Sequence, residues 1–316
     1  MTFECFIVVG YTPDKNSGGN STIPIMIKLL NKIYNNKVYF YIILHDANIN
    51  TEEKRYLASL KYQEEFLPIP TPDMIMNKDN IVIYPENCGD NPLNFKNVAR
   101  INYYFNININ NTDNEYTIFY SSPFQMLFNK VRKELGINEI ILKEQQIYPK
   151  HISFFYNLPT LLDVCYDYGN TREGSCYTIR KGAMYPHFFT NFNQHPTDAF
   201  LIPYELSNLH SLVEIFNKYK YFYSYDGFTA MSQMACLCGC ISIIIPFSDY
   251  KNISEFTSAP WYLDGIAYGD SIEQINHAIN TTNKCRGTLM KHAKTDYSEF
   301  FKHMIDSIYL YFYPNV

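Results

Sequence analysis

Tyr223-Ser-Tyr-Asp-Gly-Phe-Thr-Ala-Met-Ser-Gln-Met-Ala-Cys-Leu-Cys-Gly-Cys-Ile-Ser-Ile-Ile-Ile-Pro246 is the stretch that decides the fold. An aromatic run closes at Ser224, the chain turns at Asp226-Gly227, small helix-compatible residues run to Leu237, and after Gly239 the Ile-rich run 241–245 begins. Two short apolar runs joined by a turn and a helix form a βαβ unit. Strands that read as continuous apolar runs belong to parallel sheets buried on both faces. Asp226 or Thr229 is placed to cap the helix by accepting one of its free amide hydrogens. The remaining amides and the positive end of the helix dipole would cradle a diphosphate. On spacing alone, a plain cap and an anion site are equally good readings of Asp226.

The same rhythm extends in both directions. Downstream and upstream in this half, strands are predicted at 175–179, 199–202, 221–224 and 241–245, with helices at 209–217, 228–237 and 272–281. The first half gives strands at 3–9, 38–44, 80–84 and 116–120, and helices at 23–33 and 94–104. Between about 143 and 174, Pro149, Pro159 and polar residues interrupt the pattern. The expected fold class is therefore α/β, with two Rossmann-like parallel-sheet domains facing a cleft. The expected domains are 1–150, completed by an amphipathic terminal helix (296–316) packing back on it, and 151–295.

Composition narrows the function. A length of 316 residues suits two domains, and 47% hydrophobic with 18% charged residues marks a globular chain. The net charge of -5 argues against nucleic-acid binding through a basic surface. No run approaches the roughly 18 apolar residues of a membrane span. Met1 to Gly10 reads as a core strand, without the basic start of a signal peptide, so a cytoplasmic location is expected. The eight cysteines form no disulfide framework, which implies a reducing compartment. Cys236, Cys238 and Cys240 lack a second ligand pair at zinc spacing and read as buried thiols.

The Tyr-Asp-x-Phe-Thr turn, its small-residue helix and the Cys-Gly-Cys–Ile-rich strand resemble the donor half of certain GT-B glycosyltransferases. Arg180-Lys181-Gly182, ending that half's first strand, resembles the basic clamp such enzymes aim at a donor diphosphate. In the first half, Ile81-Val-Ile-Tyr-Pro-Glu86, Asp90-Asn-Pro-Leu93 and Lys96-Asn-Val-Ala-Arg100 are similar to the "YPE…GNPL…NVVR" run of related enzymes, with Gly89 displaced by one position. Ser17-Gly18-Gly19-Asn20 resembles their Gly-rich loop, and Gly265-Ile-Ala-Tyr-Gly269 with the helix after it is also similar. The resemblance spans most of the chain. One departure is plain: Ser232-Gln233-Met234-Ala235 stands where many retaining members carry a ribose-binding Glu.

The resemblance implies a transferase moving a sugar from a nucleotide-diphosphate sugar, UDP- or GDP-type, to a glycan or glycoconjugate hydroxyl, with no resident cofactor and no metal. Donor-binding residues are then Gly18, Gly19, Arg180, Lys181, Asp226, Phe228, Thr229 and Ala230. Glu86 and Asp46, at the ends of predicted strands, are candidate bases for deprotonating the acceptor; His45 is a third candidate, and each equally suits a structural polar group. His187, His195 and His210 read as isolated surface or core groups. Two alternatives stay open: a nucleotide-sugar epimerase of the same fold, and a non-catalytic sugar-binding protein.

Overall fold

The computed structural model describes residues 3–10, 18–35, 37–42, 51–60, 67–85, 88, 90–102, 115–119, 133, 158–184, 192–206, 208–227, 229–246, 264–294, 296 and 298–314. The chain divides into two compact units, one comprising Met1–Ser153 with Asp296–Val316 and the other Phe154–Thr295.

In the first unit, strands β1 (Phe6–Gly10), β2 (Val38–Ile42), β3 (Ile81–Pro85), β4 (Asn97–Asn102) and β5 (Tyr116–Phe119) form one sheet in the order β2-β1-β3-β4-β5. Every pairing is parallel. β1 and β3 are buried at every position, as their unbroken apolar sequences require. Helix α1 (Gly18–Ile33) packs Ile23, Met26, Ile27 and Leu30 inward. At the end of β1, a Cβ on Gly10 would stand 2.7 Å from the Phe40 ring and 3.2 Å from Ile23, so this close layering needs glycine. The other face is an apolar cluster including Val9, Tyr84 and Val98, covered by α2 (Glu52–Leu60) through Tyr56 and by α3 (Pro72–Met76) through Ile75. Thr71 caps α3, accepting from the Met74 amide, with Pro72 opening the helix.

The second unit starts with α4 (Leu158–Val164) and contains β6 (Ser175–Thr178), β7 (Phe200–Leu201), α5 (Leu209–Lys218), β8 (Tyr221–Ser224), α6 (Met231–Leu237), β9 (Ile241–Ile244), β10 (Ile266–Tyr268) and α7 (Ile272–Ala293). Its sheet runs β10-β9-β8-β6-β7, again wholly parallel. Counted within each unit, both sheets have the order second-first-third-fourth-fifth. This is a doubly wound order whose topological switch lies between the first and third strands. The switch therefore falls between β1 and β3 in one unit and between β6 and β8 in the other.

The last helix, α8 (Ser298–Phe312), belongs to the first unit and packs on α1. Phe301, Met304, Ile305 and Ile308 recur at helical spacing and are buried. The Tyr34 hydroxyl is hydrogen-bonded to the Asp306 carboxylate, which also receives Lys302 Nζ at 2.7 Å. Phe3, Tyr309 and Tyr313 add an aromatic cluster with centroids 4.9 to 5.5 Å apart.

Several sequence expectations are corrected. The segment 94–104, read as a helix, contains β4 instead. Val98 and Ile101 fit helical spacing, but the strand is buried on both faces and so shows no diagnostic alternation. Helix α1 starts at Gly18 rather than at 23, so Gly18 and Gly19 lie in its first turn and not in a loop. Helix α6 starts at Met231 rather than at 228, with Ala230 in the cap position and no side-chain cap bond. Helix α7 runs on to Ala293. Among the described residues, no helix is long and apolar enough to cross a membrane.

Candidate functional site

The switch point of the second unit is where the sequence motifs meet. Thr178 and Ser224 are the last paired residues of β6 and β8, and the Tyr225 amide continues the ladder by donating to the Thr178 carbonyl at 3.0 Å. Two residues beyond each strand stand Arg180 and Asp226, side by side at the carboxyl edge. In open parallel sheets, this crevice is where ligands bind.

Arg180 opens a 3-10 turn (Arg180–Met184) with φ of +38°, an uncommon conformation for a residue with a side chain. The turn is pressed against its neighbour: a Cβ on Gly182 would stand 2.5 Å from the Tyr225 carbonyl oxygen. The Arg180 guanidinium lies 5.9 Å over the Tyr204 ring, and its Nη2 donates to the Leu206 carbonyl at 2.6 Å. Its Nε is shielded from solvent and has no hydrogen-bond partner. Burial pulls the guanidinium below its ordinary value, and the charge of Asp226 pushes back. Arginine stays protonated in proteins, so the turn holds a fixed cation.

Asp226, 3% exposed, is set by a local side-chain turn. Ser224 Oγ donates to the Asp226 carbonyl at 2.9 Å and accepts from the Asp226 amide at 3.2 Å. The expected cradle of helix amides is largely occupied from within. The Thr229 amide donates to the Asp226 carbonyl, the Met231 amide to Thr229 Oγ1, and the Ser232 amide to the Thr229 carbonyl, all at 3.3 Å. Thr229 Oγ1 thus binds the first amide of α6. Any anion bound here meets the Arg180 guanidinium before a row of free amides.

His195, read from the sequence as an isolated surface or core group, lies against Tyr177 and Tyr225. Its ring stacks on Tyr177 of β6, with centroids 3.7 Å apart. Its Nδ1 is 2.8 Å from the Tyr225 hydroxyl, which also accepts the Gln194 amide at 2.7 Å. The tautomer of the ring sets which of the two groups donates in this bond. Burial holds His195 below the ordinary histidine value and lifts Tyr225 to about 12. No local signal links positions 195 and 225, because only the fold brings them together.

The remaining sequence candidates fall in both units. Ala230 and the backbone of Lys181 belong to the same edge. Gly18 and Gly19 open α1 in the first unit. Asp46, His45, Glu86 and Phe228 lie outside the described residues.

The first unit's switch edge has a firm polar frame. Arg100, 1% exposed, pairs with Glu115 through Nε at 2.9 Å and Nη2 at 3.1 Å. It also donates to the carbonyls of Pro85, Cys88 and Asp90. Asn91 Oδ1 accepts from the Tyr84 hydroxyl at 3.0 Å, and that hydroxyl accepts from the Leu93 amide at 3.1 Å. The conspicuous Asp90-Asn-Pro-Leu93 and Arg100 motifs thus fix the loop after β3.

The alternating cysteines do not converge. Cys236, Cys238 and Cys240 each form a thiol–thiol hydrogen bond with a different partner, respectively Cys285, Cys165 and Cys176. All eight cysteines are buried and unbridged. Among the described residues, no group of three or more His, Cys, Asp or Glu side chains is placed to hold a metal ion. No known protein-family model matches the chain, and no curated protein matches it.

Proposed function

We propose that this chain is a glycosyltransferase of GT-B design that binds a nucleotide-diphosphate sugar at the β6/β8 switch point. The observation that carries the reading is the placement of Arg180 and Asp226 at that crevice, with Arg180 held in a left-handed conformation whose Nε is unpaired. A residue with a side chain held at positive φ at the carboxyl edge of a parallel sheet motivates a functional reading.

In the proposed reaction, Arg180 and Lys181 hold the donor diphosphate. When the sugar–phosphate bond breaks, charge accumulates on the leaving phosphate oxygen, and a preorganised cation stabilises it. Asp226 fixes the turn and keeps the Arg180 guanidinium in place by its charge. In the Nε2–H tautomer, His195 accepts from Tyr225 through Nδ1 and offers a neutral donor to a phosphate or sugar oxygen. Thr229 and Ala230 lie between β8 and α6 at the same strand edge. The acceptor hydroxyl is assigned to the first unit, where Glu86 and Asp46, which follow β3 and β2 in the chain, are the proposed bases.

Thermal unfolding in the presence of UDP, GDP, CMP and dTDP and their common sugar conjugates tests the reading. At about 100 times its dissociation constant, a bound ligand adds about 2.7 kcal/mol of stability. A selective response that Arg180→Ala removes supports the assignment. A folded protein that answers to none of these compounds rejects it.

A further inference from the structure

The carboxyl edge of the first sheet carries two polar groups that the fold leaves unused. Arg55, in α2, has its Nε shielded from solvent with no hydrogen-bond partner. Asn102, the last residue of β4, is 1% exposed, and neither Oδ1 nor Nδ2 is bonded. Buried polar atoms without partners are unfavourable and uncommon, and two on one sheet edge call for a reason.

Both lie toward the carboxyl edge of the first sheet. Ser59 Oγ donates to the Arg55 carbonyl at 2.8 Å and accepts from the Ile42 amide at 2.9 Å, tying α2 to the end of β2. Arg55 also acts electrostatically on Cys88, whose amide is bonded to Pro85 at the end of β3. β1 lies between β2 and β3 in the sheet, and α2 packs against β2. Tyr56 of α2 packs on the face formed by Val9, Tyr84 and Val98. Asn102 lies on that face too, because alternate residues of β4 share a side: Val98, Arg100, Asn102.

The two arginines near this edge differ in one respect. Arg100 is neutralised by the buried Glu115 carboxylate, whereas Arg55 has no ion pair among the described residues. One cation is structural and the other is available.

We infer that this edge is a binding site for a sugar bearing an oxyanion, either a phosphate or a carboxylate. Arg55 takes the oxyanion through charge-assisted hydrogen bonds. The Asn102 amide, a donor and an acceptor at once, pairs with neighbouring sugar hydroxyls. As an acceptor site this rests on the transferase reading, and it makes the acceptor glycan acidic; the anion site itself does not depend on that reading.

The experiment is thermal unfolding of the whole chain with glucose 6-phosphate, glucuronate, inorganic phosphate and glucose. Stabilisation by glucose 6-phosphate or glucuronate, and none by glucose, is expected, and the stronger of the two acids identifies the oxyanion. Arg55→Gln should weaken the apparent affinity about tenfold or more. Arg55→Lys should retain part of the response. Asn102→Ala should abolish the preference for glucose 6-phosphate over inorganic phosphate. A folded wild-type protein silent to both acids overturns the inference, as does a response that Arg55→Gln leaves intact. Arg180→Ala separates the two sites. Loss of the nucleotide response with the acid response kept is expected, and an acid response that disappears with Arg180 instead refutes the Arg55 site. If nucleotides have no effect while an acid response depends on Arg55, the transferase reading fails and this site stands.

Discussion

Gly182 faces the Tyr225 carbonyl so closely that a Cβ there would stand 2.5 Å from the oxygen and 2.9 Å from the Tyr225 Cβ. The turn after β6 and the turn after β8 are thereby packed backbone to backbone, which sets the position of Arg180 relative to Asp226. A methyl group at position 182 cannot be accommodated by rotating a side chain. Gly182→Ala should destabilise the second unit by about 1–3 kcal/mol, measured by urea unfolding. It should also weaken any ligand response that depends on Arg180. A variant as stable and as responsive as wild type would show that this packing does not position the arginine.

The Tyr225 hydroxyl and the burial of His195 give a pH dependence with a definite sign. Because the folded-state value of His195 lies below its unfolded value, the unfolded chain binds more protons between the two. The contribution to stability is complete above the unfolded value of about 6.5 and is lost as pH falls through the folded value. Chemical denaturation between pH 8 and pH 5 should show this slope in wild type and a smaller one in His195→Gln. An unchanged slope would mean that the ring is not buried as described.

Arg100 and Glu115 form a buried pair, with side chains 1% and 4% exposed. Glu115→Ala leaves the guanidinium charged, buried and short of two bonds, and should cost about 3–5 kcal/mol by equilibrium unfolding. Replacing both with apolar residues of similar volume should cost much less. Equal losses for the single and double variants would show that the frame around Pro85 and Cys88, and not the unpaired charge, is what matters.

The thiols should differ in reactivity despite similar burial. Hydrogen bonding from Cys238 comes first in lowering Cys165, burial opposes it, and Arg286 assists. Cys236 is raised by its bond to Cys285 and by burial, and Cys240 by burial and its bond to Cys176. Slow alkylation of the native protein followed by peptide mass analysis should find Cys165 modified before Cys236 or Cys240. The reverse order would contradict the thiol pairing.

Removal of α8 tests the discontinuous unit. Phe301, Met304, Ile305 and Ile308 are buried, with at most 2% of any of them exposed. Each such side chain contributes about 1.5–3 kcal/mol, against a total stability of about 5–15 kcal/mol for a typical domain. A chain ending at 295 should lose cooperative unfolding of the first unit, read from near-ultraviolet circular dichroism. An intact transition would show that this helix only decorates the unit.

The local sequence was enough for the strand–turn–helix rhythm, the parallel character of the sheets and the position of Arg180 and Asp226 at strand ends. Apolar runs such as Phe6–Val9 and Ile241–Ile244 report burial on both faces, and turn residues report where the chain reverses; both are local properties. The same local signal failed for β4, where a strand buried on both sides carries Arg100 and Asn102 and mimics helical spacing. It also put Gly18 and Gly19 in a loop, because glycine's low helix propensity was overridden by the tertiary packing of α1. Strand order, and with it the position of the two switch points, was decided only in three dimensions. So were the His195–Tyr225 bond, across 30 residues, and the pairing of three alternating cysteines with three distant ones. Periodicity records how much of a segment is buried, whereas register and long-range pairing fix which segments it is buried against.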